Sequence, residues 1–198
     1  MRWIYRHHSR EGATGRPAAP PYVVARIGPA AEFGGAGARS QDRHYRPLPA
    51  EYSWGMQNRY VGDWLIYGSQ YTRGGGASTY AVPYARGGQA VPLALKHSTE
   101  RIEALGDDAL IVGNAGNDLV FSSVRLDAEA TPVSGYIQRN AVQSESRTHG
   151  FFYQPQGEAG GILGLVRIPD DETRDGIELV DRTTRQLRER VMVACHRP

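Results

Sequence analysis

The sequence predicts an all-β protein built from short antiparallel strands, and three observations lead there. Apolar residues fall in compact runs, such as Leu65-Ile66-Tyr67 and Leu110-Ile111-Val112, each ended by Gly, Pro, Asn or Asp. With 24 glycines and 12 prolines in 198 residues, the chain favours many turns over long helices. A pattern of arginine, glycine and apolar run also recurs, starting at Arg59, Arg101 and Arg147.

Residues 1–21 mix Arg, His, Gly, Ala and Pro without periodicity, and read as a disordered or extended leader. Tyr22-Val23-Val24-Ala25-Arg26-Ile27 reads as a strand stopped by Gly28-Pro29, and 33–50 reads as loop. From Arg59 the recurrent pattern begins. Arginine and glycine are three steps apart in Arg59…Gly62 and Arg147…Gly150, and five apart in Arg101…Gly106. Setting Asp63 on Asp108 lays Leu65-Ile66-Tyr67-Gly68 over Leu110-Ile111-Val112-Gly113, an offset of 45. The units so defined lie near 22–58, 59–100, 101–146 and 147–198.

The period selects the architecture. Helical repeats of this length carry two amphipathic helices per unit. Here each unit carries several short runs: 64–67, 79–84 and 90–95, then 109–112, 119–126 and 133–137. Three or four strands in about 40–45 residues are the signature of a β-propeller blade. Blades pack face to face, so their inner strands are covered on both sides and read as continuous apolar runs. Pro83 and Pro92 suit edge positions, where a missing N–H does least harm. The stretch 113–118, Gly-Asn-Ala-Gly-Asn-Asp, reads as a hairpin turn. In the third unit, 160–168 is strand-like. Ile177, Val180, Thr184, Leu187 and Val191 fit helical spacing, yet 177–180 and 190–193 fit strands equally, and strand is the reading adopted.

The segments Glu100–Gly113 and Glu145–Tyr153 resemble bacterial β-propeller proteins of the WD40-related, C-terminal propeller type. The resemblance covers about residues 55–170 and lacks the Trp-Asp and Gly-His dipeptides of WD40 blades. It implies a partial propeller of about three blade units, and the function expected of the chain is that of a non-enzymatic binding or scaffolding module. A closed propeller takes at least about four blades. The rest is therefore expected from a larger protein or from another copy of the chain. The alternative is a propeller hydrolase or lyase with a channel site using Arg147 and His149.

Composition narrows the chemistry. Lys+Arg 23 against Asp+Glu 21 leaves a net charge of +2, too small a bias to expect a nucleic-acid partner. Cys195 is the only cysteine, which excludes an intramolecular disulfide scaffold and cysteine-rich metal sites. Lys96 is the only lysine, so Schiff-base or P-loop chemistry has no other position to use, and no glycine-rich loop precedes it. No apolar run is long enough for a membrane span. The N-terminus lacks the apolar stretch of a signal peptide, which suggests the cytoplasm by default, or export if the natural chain begins upstream. No cofactor or metal is expected. The cluster Asp107, Asp108, Asn114, Asn117, Asp118 fails the calcium-loop spacing, with Ala109 and Ile111 where ligands are needed.

Candidate ligand-binding residues are Glu145, Arg147 and His149, with Arg59 and Arg101 as their counterparts in other units. Alternation places Glu145, Arg147 and His149 on one face of a strand. On an innermost strand they would line a central channel as an anion or substrate site, with His149 for acid–base work. The alternative is an ion pair beside a solvated histidine, with Arg59 and Arg101 tying neighbouring blades through carboxylates or carbonyls. Ser144 and Ser146 lack the Gly-x-Ser-x-Gly context of a hydrolase nucleophile. Trp3, Trp54 and Trp64 read as core or blade-interface anchors.

Overall fold

The computed structural model describes residues 3–6, 22–25, 45–49, 55–70, 79–143, 150–157, 160–169, 176–183 and 185–194. The chain divides into two compact units, Met1–Tyr52 and Ser53–Pro198. Among the described residues the only helical element is a single 3-10 turn, Tyr84–Arg86, and no helix is long and apolar enough to cross a membrane.

The first unit holds a three-stranded antiparallel sheet in the order β1 (Trp3–Arg6), β2 (Tyr22–Ala25), β3 (Tyr45–Pro47). β2 lies where the sequence places a strand. β1 and β3 lie in stretches read from sequence as leader and loop. Each is only three or four residues long, and its pairing partner is remote in sequence, so no local periodicity marks it. Pro47, which has no N–H to donate, sits on an edge strand.

The second unit is three antiparallel sheets in succession. Sheet I runs β4 (Met56–Val61), β5 (Trp64–Ser69), β6 (Thr79–Val82), β7 (Val91–Leu93). Sheet II runs β8 (Arg101–Leu105), β9 (Asp108–Ala115), β10 (Asp118–Leu126), β11 (Ala130–Gln138). In sheet III, β12 (Ala141–Gln143) and β13 (Phe151–Pro155) share one side of β14 (Gly161–Pro169), followed by β15 (Gly176–Thr183) and β16 (Gln186–Ala194). The C-terminal stretch is strand, in agreement with the sequence reading. Pro92 does sit on an edge strand, whereas Pro83 lies outside the sheet and caps the 3-10 turn.

Sheet II is the centre of the unit. Alternation along β9 sends Ala109 and Ile111 to one face and Leu110 and Val112 to the other, and all four are fully buried. The first face packs on Val61, Trp64, Ile66, Ala81 and Leu93 of sheet I. The second packs on Leu163, Leu165, Val180 and Leu187 of sheet III. Burial of each such aliphatic side chain contributes about 1.5–3 kcal/mol. Trp64 is an interface anchor, with the Arg86 guanidinium 5.2 Å above its ring.

Two-residue turns fix the strand register. Gly62-Asp63 joins Val61 to Trp64, and Gly106-Asp107 joins Leu105 to Asp108. In each turn only the glycine has positive φ, +51° and +67°, as a type II′ turn requires of its first central residue. Superposing the turns relates sheets I and II by 44 residues, not the 45 that matches the apolar letters. The difference has a physical meaning, because a one-residue slip moves every side chain to the opposite face. At 44, Ile66 corresponds to Leu110, both facing the next sheet, and Arg59 corresponds to Glu103 rather than to Arg101.

A polar tie joins sheets II and III. Asp108, on β9, accepts hydrogen bonds from Arg182 and, at 2.8 Å, from Nε of Arg185, while Arg182 also donates to the Leu105 carbonyl at 3.1 Å. Asp108 and Arg182 are both nearly excluded from solvent. Their pairing therefore offsets a large desolvation cost, and removal of one partner leaves the other buried and charged. Gly113 makes a different close contact: a Cβ there would lie 1.8 Å from the Ser98 carbonyl oxygen.

Two outcomes are expected in chemical-denaturation measurements. Asp108→Asn should cost about 3 kcal/mol, whereas Asp181→Asn, which breaks the exposed pair with Arg190, should stay within about 0.5 kcal/mol. Gly113→Ala should cost about 2 kcal/mol or more, because backbone must move to admit the methyl group.

Candidate functional site

The sequence-predicted residues Arg59 and Arg101 meet at one carboxylate. β4 and β8 are edge strands of their sheets and lie side by side. Arg101 and Glu103 alternate on β8, so both project from the face toward sheet III, and Arg101 Nη1 donates to Glu103 Oε1 at 2.9 Å. Arg59 projects from β4 toward sheet II. Because β8 is an edge, Arg59 reaches around it and places Nη1 2.7 Å from Glu103 Oε2 and 3.5 Å from the Ile102 carbonyl. Sheet III contributes Phe151, the first residue of β13, whose ring centre lies 5.9 Å from the Arg101 guanidinium carbon. The first strands of sheets I and II thus meet at Glu103, and β13 of sheet III reaches the cluster through Phe151 against Arg101.

Burial is graded across this cluster. Arg101 and Glu103 are buried, whereas the Arg59 side chain keeps 40% of its exposure. A small open cleft of about 120 Å³ lies beside Arg59, walled by Gln57 and Asn58 of β4 and by Glu100, Arg101 and Glu103. Glu100 Oε1 accepts from Ser98 Oγ at 3.2 Å and from Asn114 Nδ2 at 2.7 Å. Burial pushes the Glu100 carboxyl above the usual range, and these two hydrogen bonds oppose the shift.

The same connection carries a second polar group. His97 is buried, with Nδ1 2.7 Å from the Ser98 carbonyl and Nε2 2.8 Å from Ser122 Oγ. A carbonyl only accepts, so Nδ1 carries the proton, and Nε2 of the neutral ring accepts from the serine. Burial holds the His97 pKa below its ordinary value, opposed by the bond to Ser98. Ser122 of β10 and His97 of the connection before β8 are both buried, as a satisfied core pair.

Glu145, Arg147 and His149 lie outside the described residues, as do Ser144 and Ser146. Sequence reasoning missed Glu103, Glu100 and the two amides. The signal for Glu103 was present, since Arg101 and Glu103 show the same i, i+2 alternation used to group Glu145 with Arg147. The reading that Arg59 and Arg101 tie neighbouring units through a carboxylate and a carbonyl describes the Arg59 contacts directly. Comparison of the chain with protein families, curated proteins and solved structures finds no match.

The His97 geometry fixes the sign of a pH effect. The unfolded chain takes up a proton on His97 near the ordinary value of 6.5, while the folded chain resists until lower pH. Stability should therefore fall as pH drops below 6.5 and level off once the depressed pKa is passed. Glu100, with its raised pKa, acts in the opposite sense, losing stability as pH rises through that value. Thermal melts between about pH 5 and 7.5 should show a smaller acid loss for His97→Gln than for the natural sequence.

Proposed function

We propose that the chain is part of a β-propeller that serves as a non-enzymatic binding or scaffolding module. The observation that carries this reading is the meeting of β4 and β8 at Glu103, with Phe151 of β13 against Arg101. Two successive four-stranded meanders, sheets I and II, meet along their first strands, as adjacent blades of a radial array would. The last strands of the three sheets are neighbours as well, β7 beside β11 and β11 beside β16. In a radial arrangement the first strands surround the axis, and a rim of charged side chains there is where a ligand docks.

The chemistry of the rim favours binding over catalysis. Both Glu103 oxygens are engaged by guanidinium groups, Oε2 by Arg59 and Oε1 by Arg101. The cleft wall offers amides, arginines and carboxylates but no hydroxyl, thiol or imidazole nucleophile. Rigid charged groups held by a scaffold suit recognition.

Light scattering at several concentrations, with circular dichroism on the same sample, tests the reading. A partial ring should give a β-rich spectrum and a discrete assembly larger than one chain, because uncovered sheet faces seek partners. A β-rich monomer that melts cooperatively at every concentration would overturn the partial-ring reading.

A further inference from the structure

The cleft beside Arg59 suggests which ligand chemistry the rim accepts, an inference that rests on the binding-module reading. Among the described residues, Arg59 makes its protein contacts through Nη1 alone, to Glu103 and to the Ile102 carbonyl. These two contacts anchor the guanidinium at one nitrogen. Its Nη2 and Nε hydrogens remain, and they form the fork that matches two oxygens of a planar anion. A donor held in place before binding loses little freedom when a ligand arrives. Gln57 and Asn58, on the same strand, add neutral amide donors to the wall.

Charge and volume narrow the anion. Two arginines in the wall face two glutamates, Glu100 and Glu103, so the cleft carries no large positive excess. A phosphate dianion would meet both carboxylates at short range, where repulsion is strong. A single negative charge spread over two oxygens meets the fork with less opposition. A volume of about 120 Å³, open to solvent on one side, admits a carboxylate group and leaves the rest of its ligand outside the cleft.

We propose that this cleft is a carboxylate-binding site, in which the free edge of Arg59 holds both oxygens of a small acid or of a partner peptide's carboxylate. The test follows the Arg59 Nε–H signal by NMR in the full chain during titration with acetate, N-acetylglycine and inorganic phosphate. Both carboxylates should shift the signal with saturation, and phosphate should bind at least about tenfold more weakly. Tighter binding of N-acetylglycine indicates a chain terminus as the natural ligand, and tighter binding of acetate indicates a side chain or free acid. Arg59→Lys keeps the charge and loses the fork, so affinity should fall by about tenfold. Asn58→Asp, at an exposed position, adds a negative charge to the wall and should weaken carboxylate binding in the same direction even if Arg59→Lys fails to fold.

Absence of a saturable shift with either carboxylate, or phosphate binding as tightly as they do, overturns the proposal. The two readings fail separately. A cooperatively melting monomer with saturable carboxylate binding removes the partial ring and leaves the site. A discrete assembly without carboxylate binding removes the site alone.

Discussion

Burial of sheet II on both faces is the constraint on which the second unit depends. A strand covered on one side alternates apolar and polar residues, but β9 carries Ala109-Leu110-Ile111-Val112 without interruption. Each face needs its own cover, so sheet I and sheet III are both required by the composition of one strand. Among the described residues, the two hydrophobic clusters lie on opposite faces of that sheet. Damage to either cover exposes aliphatic surface on β9 that has no other partner.

Charges supplement this packing at the places where the apolar layers end. At each interface an arginine from the neighbouring sheet bonds a carboxylate and a backbone carbonyl of sheet II. Arg59 takes Glu103 and the Ile102 carbonyl, and Arg182 takes Asp108 and the Leu105 carbonyl. The chemistry is shared, but solvent access differs. Arg182 is sealed and serves cohesion, whereas Arg59 is two-fifths exposed beside a cleft. Exposure therefore separates a structural tie from one that can also meet a ligand.

Much of this arrangement was legible in the sequence, because it is written in local pattern. The apolar runs became β5, β9, β10 and β14, and the C-terminal segment proved to be strand although its spacing also fitted a helix. What was not legible depended on remote partners. β1 and β3 exist through pairing with β2, and no local signal marks them. The repeat register was misread by one because matching apolar letters ignores which face they occupy, whereas the glycine turns respect it. Arg59 and Arg101 stood out as candidates, but their common partner Glu103 did not. That partnership is created by β4 and β8 lying edge to edge, which a single sequence does not encode locally.

The two-residue turns at Gly62-Asp63, Gly106-Asp107 and Gly116-Asn117 also bear on how such a chain can change length over evolution. A residue inserted or deleted there must be absorbed by a different turn or a bulge, since a register slip of one would turn a whole strand inside out. The connection between Ser69 and Thr79 is longer, so a change in its residue count costs little in loop-closure entropy. Length changes should therefore be tolerated better in the wider connections than in these hairpins. The hairpins favour a constant residue count even while their side chains drift.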